Sequence, residues 1–530
     1  MKTTIKITLS IFALIVGCGA AVAQRTETLS GIEKAKATSL WFFGSHNAAG
    51  LTIDQTVFTN ELSVAYDRSA GDFKRPQSGD TETILAFQTE GGRKLNGTYL
   101  WGSFSYGNLK KEGAQWNTNL IDPYRDMPFF MADPIWSVWE IQSYTMQAKV
   151  STPFVLKERL AFGFDVAYQS QYGEKTIYPK ASNRVRSIDI KPGIIYRLTP
   201  SLYIGVSGEY LDLNEDNIPT VFNNAPHNVQ MMRGLGFSFL KFIGTFGLMS
   251  TNFIKELWGG ELQVGFQSKT MQGLLAAGYR KSNDSHIFAQ QTILNGSGDN
   301  YTWLKEDGGR LLSDEFYLHI GATHQRNGNV HVVKADMNLK NRKGIENKEE
   351  MWSPDEEEIF GSYVTLYRSV RSTYDRLSIG AAYDYFRGHT ENDYLWRAGL
   401  FFNYNSNQDD YIMPVGIQHF NAVDIGVQAK YNWALNPKYN MLIGLNVMNH
   451  TNLNKEFAYE GPEPDAPKIV EFVIPDFEYR TTNYFTVGGS VAFSVQIKKI
   501  GSYIGADVAY LHGGSALTRT LFNVKLGIYF

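Results

Sequence analysis

The sequence predicts an all-β fold: a closed antiparallel transmembrane β-barrel of about 18 strands, roughly 16 to 20, with an N-terminal plug-like segment. Three observations predict it. Apolar residues recur on every second position in segments of about ten residues, repeated along the whole chain. No second run of about twenty apolar residues follows the N-terminus, which excludes helical membrane spans. The composition is 43% hydrophobic and 14% aromatic with 19% charged residues, yet the mean hydropathy is −0.27. Neither an ordinary soluble enzyme nor a bundle of membrane helices combines these values.

Taken in order, residues 1–23 read as an export signal: Lys2 and Lys6 give the positive start, Ile7 to Gly17 the apolar stretch, and Ala21-Val22-Ala23 a small-residue cleavage site. Ile15-Val16-Gly17-Cys18 offers a second processing route, a lipobox that would leave Cys18 lipidated. Cleavage at residue 23 leaves a chain without cysteine, which suits an oxidising compartment. The formal net charge of −3 gives no basic face for nucleic acid. Residues 24–60 are assigned to the plug-like segment and residues 61–530 to the barrel.

Barrel strands are read from alternation. Phe522, Val524, Leu526, Ile528 and Phe530 share one face, with Asn523, Lys525 and Gly527 on the other. Leu160 to Gln169 and Val423 to Asn432 alternate in the same way, as do segments from Leu202, Phe316, Leu377, Tyr394 and Tyr439. The second faces carry Gly, Ala, Ser, Asn and Asp, and tyrosines stand at segment ends, as at Tyr168, Tyr210, Tyr383, Tyr385, Tyr404 and Tyr431. A soluble sandwich would turn its polar face to water. A membrane barrel instead turns its apolar face to lipid between aromatic girdles, and must close because backbone groups in lipid need partners.

Short joins are expected at Glu90-Gly91-Gly92-Arg93, Leu198 to Ser201, Asn327 to Asn329, Asn436 to Lys438 and Lys499 to Gly501. Longer joins are expected near 110–135, 212–256, 341–358 and 450–480. The alternating segments number about nineteen, and single-chain bacterial barrels have even numbers, which leads to about eighteen. The uncertain stretches are 283–312, which could hide a hairpin, and 406–422, where Tyr411 to Phe420 could be a strand.

The two ends carry a resemblance. The final Leu526-Gly527-Ile528-Tyr529-Phe530 looks like the terminal signal by which bacterial outer-membrane barrels are recognised for assembly, with Phe530 as its aromatic. Trp41 to Leu51, with Asn47, Gly50 and Leu51, resembles the N-P-A-G-L segment of the FadL-like long-chain fatty-acid transporters and their Bacteroidota relatives; Ala48 stands where that pattern has Pro. The resemblance implies a hatch inside the barrel, a Gram-negative outer-membrane location, and contact with membrane lipid, lipopolysaccharide and the barrel-assembly machinery. The whole architecture looks most like large Bacteroidota outer-membrane barrels of unassigned function.

No H-E-x-x-H, G-x-S-x-G or Walker loop is present, so no catalytic residue, metal ligand or cofactor is assigned and no enzyme is expected. A hydrolase in the barrel would need His and Ser together at the lipid-facing rim. The phase of the strands makes Asp165, Glu209, His319, Asp384, Arg397, Asp424, Lys430, Asp507 and Lys525 the lumen-facing candidates. They read either as a charge-selecting pore lining or as a ladder of paired charges that stiffens a closed barrel. Asp355-Glu356-Glu357-Glu358 reads as a solvated loop before a cation site.

Gly234 to Met249 is the candidate apolar-ligand stretch, with Phe237, Phe239, Phe242 and Phe246 lining a capture groove. Its other reading is ordinary membrane strand with Lys241 at a turn. Tyr124, Phe129, Phe130, Met131 and Trp136 are expected in a loop folded over the mouth. The function expected is passage of a small solute, an apolar one among the candidates, across the outer membrane. The alternative is a surface scaffold that serves a receptor or secretion complex through a protein partner.

Overall fold

A computed structural model describes residues 28–54, 60–120, 127–221, 227–243, 249–293, 301–352, 362–388, 393–436, 438–497 and 500–530. Eighteen antiparallel strands form one sheet. The first, Glu61–Gly71, pairs both with the second, Thr81–Leu95, and with the last, Thr518–Tyr529, so the sheet closes and has no edge. In that seam Leu62 faces Ile528 and Tyr66 faces Val524, setting apolar side chains of the two strands on one side.

Exposure shows which way the barrel faces. Along the strand Met249–Gln267, Leu262 is 65% exposed and Val264 45%, whereas Glu261 and Gln263, which alternate with them, are 4% and 0% exposed. A protein built for water would reverse this order. The apolar outer face repeats at Phe162 and Phe164, Ile204 and Val206, Ile425 and Val427, and Ile504 and Val508, and is ringed by exposed aromatics such as Tyr172, Trp258, Tyr279, Tyr431 and Trp433. It is a transmembrane barrel. Among the described residues, no helix is long and apolar enough to cross a membrane.

One end of the barrel carries the tight turns, among them Asn96-Gly97 and Asn327-Gly328, where positive φ at each residue suits Asn and Gly. The other end carries the long connections. Glu90 to Arg93, read as a turn from its glycines, lies inside the strand Thr81–Leu95; the turn comes at Asn96. The connections read near 212–256 and 341–358 are shorter than expected, because the strands Leu202–Thr220, Met249–Gln267 and Asn329–Trp352 run on through polar sequence beyond the apolar belt. The uncertain stretch 283–312 is a hairpin of the strands Met271–Ile293 and Tyr301–Arg326, and Tyr411 to Phe420 spans the end of Trp396–Tyr411, a turn and the start of Gly416–Asn436. Residues 1–27, with Cys18, and Asp355 to Glu358 lie outside the described residues.

Two packed regions lie inside the barrel. At the turn end sit helices α1 (Leu29–Thr38), α2 (Leu40–Gly44) and α3 (Leu51–Asp54), with a 3-10 turn at Ala48–Gly50. Thr28 caps α1 by accepting from the Gly31 amide at 3.1 Å. At the loop end, the strands Phe129–Ala132, His227–Gly234 and Phe237–Ile243 form a separate three-stranded sheet. Beside it lie a π-helical turn, Lys468–Val473, and helix α4, Ile474–Thr481. Trp116, Ala132, Met232, Ile469, Phe472 and Val473 form the core of this cap. Phe129 is fully buried among Met127, Phe253, Leu311 and Tyr374, which ties the cap to the inner wall.

Candidate functional site

The segment of residues 28–54 crosses the turn end of the lumen and touches opposite walls. On one wall, Lys430 donates to Glu33 Oε1 at 2.8 Å and the Tyr394 hydroxyl donates to Glu33 Oε2 at 2.7 Å. Lys34 donates to the Asp393 carbonyl at 3.2 Å, and Ser30 donates to the Asp393 carboxylate. Lys36 pairs with Glu90 and, at 3.7 Å, with Glu61, which itself receives Lys525 at 2.7 Å. Lys36 lies outside the strands, and its neighbouring carboxylates raise its pKa over the opposing effect of burial, the largest single influence on it.

The other wall holds the 45–54 stretch. Asn47 is the centre of this contact: its Nδ2 donates to the carbonyls of Ile194 at 3.0 Å and Val206 at 3.2 Å and to Gln263 Oε1 at 3.0 Å, while its Oδ1 accepts from the Ala49 amide at 3.1 Å. An Asn can satisfy both ends of its amide here, which explains its burial. The wall makes room with glycine. A Cβ on Gly163 would lie 1.9 Å from the Ala49 nitrogen, and one on Gly193 would lie 2.1 Å from Asn47 Oδ1. Trp41 rests on Gly265, and Gly50 rests on Trp41. Leu51 is 1% exposed. Asp54 closes the segment on itself by accepting from the α2 amides of Trp41 at 3.3 Å and Phe42 at 2.7 Å. Burial pushes its pKa up to about 7, against the opposing pull of those two amides and of Lys149.

The charges of the wall form a ladder. Lys149 pairs with Asp165 at 3.7 Å, Lys191 lies 2.5 Å from Asp189 and 3.5 Å from Glu209, and Arg280 lies 2.7 Å from Glu209 and 3.4 Å from Glu315. Arg280 reaches Glu209 across the intervening strand because Gly259 stands between them: a Cβ there would lie 3.0 Å from Arg280 Cγ. His46 of the plug-like segment joins this network. Its backbone amide donates to Glu261 Oε1 at 3.0 Å, and its Nδ1 lies 2.8 Å from the Tyr317 hydroxyl.

The remaining lumen-phase candidates are also placed. His319 Nδ1 lies 2.5 Å from Asp336, Arg397 donates to Asp384 at 2.8 Å, and His450 Nδ1 lies 2.6 Å from Asp424. Asp507 shares the phase of Tyr503 and Gly505 and has no ion pair among the described residues; Lys430, Glu33 and Asp67 are its nearby charges. Between the Phe43–His46 turn and the wall lies a cavity of about 340 Å³, lined by Arg280, Tyr317, His319, Asp336, Asn338 and Asn403 among others.

The apolar-ligand stretch is not a membrane strand with Lys241 at a turn. Phe237–Ile243 is a strand with Lys241 in its interior, paired with His227–Gly234 in the cap and not with a barrel strand; the turn falls at Leu235-Gly236. Phe237 is buried, stacked on Tyr411 at 4.0 Å, and Phe239 packs with the Met131, Val229 and Met231 cluster. Phe242 lies on this strand, and Phe246 lies outside the described residues. The reason is composition: Met232 packs with Trp116 and Phe472, and Met231 with Met131 and Phe239, in the cap and away from lipid. Of the mouth loop, Phe129, Phe130 and Met131 lie on the cap strand Phe129–Ala132, Trp136 is 46% exposed and Tyr124 lies outside the described residues.

Sequence reasoning missed Gln263 and Glu261 as partners of the plug-like segment, although they alternate with Leu262 and Val264 and so carried the lumen phase. It also missed Arg75 and Arg480, which sit in connections between barrel strands, without any period. Phe530 stands at the closing seam: its amide donates to the Asn60 carbonyl at 3.0 Å, its carbonyl accepts from the Asn60 amide at 3.2 Å, and the residue is 40% exposed.

Among solved structures, the ferric yersiniabactin uptake receptor FyuA from Yersinia pestis is similar at 9% identity and a TM-score of 0.41, over 89% of this chain and 80% of that one. BauA, the ferric preacinetobactin receptor from Acinetobacter baumannii, is similar at 7% identity and a TM-score of 0.38, over 89% and 80% of the two chains. At these values the likeness carries no argument about this chain. No curated protein matches the sequence. A family pattern does match, over residues 48–530, and the chain belongs to that family, described as "Family of unknown function (DUF6850)".

Proposed function

We propose that this barrel is a gated passage for a small solute across the outer membrane of a Gram-negative bacterium, with residues 28–54 as its plug. One observation carries the reading: a segment of short helices lies across the lumen and is joined to both walls by side-chain contacts, with no strand pairing to the barrel. Such a segment can leave its seat without breaking the sheet, at the cost of a limited set of hydrogen bonds of about 1 kcal/mol each and a small apolar contact around Leu40, Trp41 and Ile53. The cavity beside the plug is lined by hydroxyl, amide, imidazole and carboxylate groups, which favours a polar solute over an apolar one.

A second reading, a non-conducting surface scaffold with a protein partner, is favoured by the cap that packs into the loop end. Conductance in planar bilayers separates the two. The full chain is expected to pass little current, and a variant lacking Arg25 to Gln55 to conduct steadily. A deletion variant that folds and passes no solute would support the scaffold.

A further inference from the structure

A second cavity, of about 120 Å³, lies within the cap, between α4, the 72–80 connection and the ends of the barrel strands. Its charged lining consists of Arg75, Arg376, Arg480, Asp409 and Asp476, so three guanidinium groups face two carboxylates. Arg75 is matched: it forks onto Asp476 with bonds of 2.6 and 2.7 Å. Arg376 and Arg480 both reach Asp409. Arg376 reaches it at 3.3 Å and Arg480 at 3.6 Å, both long for ion pairs of this kind.

Arg480 makes no side-chain hydrogen bond among the described residues; besides Asp409, its guanidinium lies over the Phe420 ring at 4.5 Å. An arginine presents five N–H donors, and leaving them unmatched in a partly buried site is costly. Burial lowers the Arg480 pKa, Asp409 and Asp476 oppose this, and Arg376 and Arg75 add to it. Gln77 and Gln418 add polar groups to the wall, while Phe130, Met232 and Phe472 keep one side apolar.

We infer that the cap cavity beside Arg480 binds a small oxyanion, a phosphate or a carboxylate, which accepts from the Arg480 guanidinium donors left without a hydrogen-bond acceptor among the described residues. The volume holds such a group and excludes a large one. The site lies in the loop layer, before the plug on a path from outside, and does not depend on whether the barrel conducts.

Isothermal titration of the full chain in detergent, with inorganic phosphate and separately with succinate, tests it. Saturable binding of either anion is expected, and the stronger of the two names the chemistry. Arg480→Gln should weaken that binding about tenfold or more, as loss of a charge-assisted hydrogen bond does. Arg480→Lys, which keeps the charge and loses the fork, should weaken it less. Asp409→Asn removes a competing carboxylate and should tighten binding. Folding of each variant is checked by its heat-modifiable mobility. Absence of saturable binding by both anions overturns the inference, as does unchanged affinity in Arg480→Gln or weaker affinity in Asp409→Asn. A cluster that serves only to hold the cap together predicts these last results. Because binding is measured on solubilised protein, its failure is distinct from a failure of the passage reading.

Discussion

Asp54 ends the plug-like segment with its carboxylate on the α2 amides and Lys149 as the charged group facing it. The direction of its shift fixes a pH dependence. Burial raises the pKa in the folded state to about 7, so a proton binds Asp54 more tightly in the docked segment than in the free chain. The resulting stabilisation is complete below the unfolded value, near pH 4, and is lost as pH rises through about 7. Amide exchange of residues 41–54 should therefore quicken between about pH 4 and 7 beyond the intrinsic pH effect, and Asp54→Asn should abolish that excess. An identical excess in the variant would place the cause elsewhere. None of this could be read from the sequence, where Asp54 is one acid among 53. Asn47 was different, since a motif marked it, but the motif did not reveal that its amide docks on the carbonyls of Ile194 and Val206.

At the scale of elements, strands were the most legible part, because a period of two ties each residue to a face and one buried or lipid-facing side fixes the register. The 160–175 strand follows its pattern residue by residue: Phe162 and Phe164 are exposed, and Ala161 and Asp165 are buried. Where alternation gives way to polar sequence, as in Asn341 to Trp352, the strand continues and the sequence offers no sign of it. Small residues of the inner face were visible but their purpose was not. Gly163 and Gly193 are cross-strand neighbours, and together they form the floor on which Asn47 to Ala49 rest. Gly163→Val therefore leaves the wall able to form, since Val suits a strand, while its side chain occupies the place of the Ala49 backbone. The expected outcome is an intact, heat-modifiable barrel with quickened proteolysis within residues 41–54 and raised bilayer conductance. Unchanged protection of that segment would mean that it is not seated on this floor.

For the molecule as a whole, closure is the property on which the rest depends, and it is completed at the C-terminus. Alternation announced the last strand and its final aromatic, yet only the pairing of Thr518–Tyr529 with Glu61–Gly71 shows that the terminal residue stands at the joint between first and last strands. The cap and its arginines belong to the same scale and were not legible, because contacts such as Arg75 to Asp476 join connections 401 residues apart.

The backbone bonds between Phe530 and Asn60 do not involve the Phe530 side chain, so Phe530→Ala leaves the seam intact. Phe530 is 40% exposed, and loss of its ring should cost the folded barrel no more than about 2 kcal/mol. A terminal aromatic read by the assembly machinery predicts a separation: Phe530→Ala should refold in detergent with yield and thermal stability close to those of the unaltered chain, while its amount in the outer membrane of cells falls severalfold. Equal loss in both settings would assign the ring to stability alone, and equal yield in both would remove Phe530 from recognition as well as from stability.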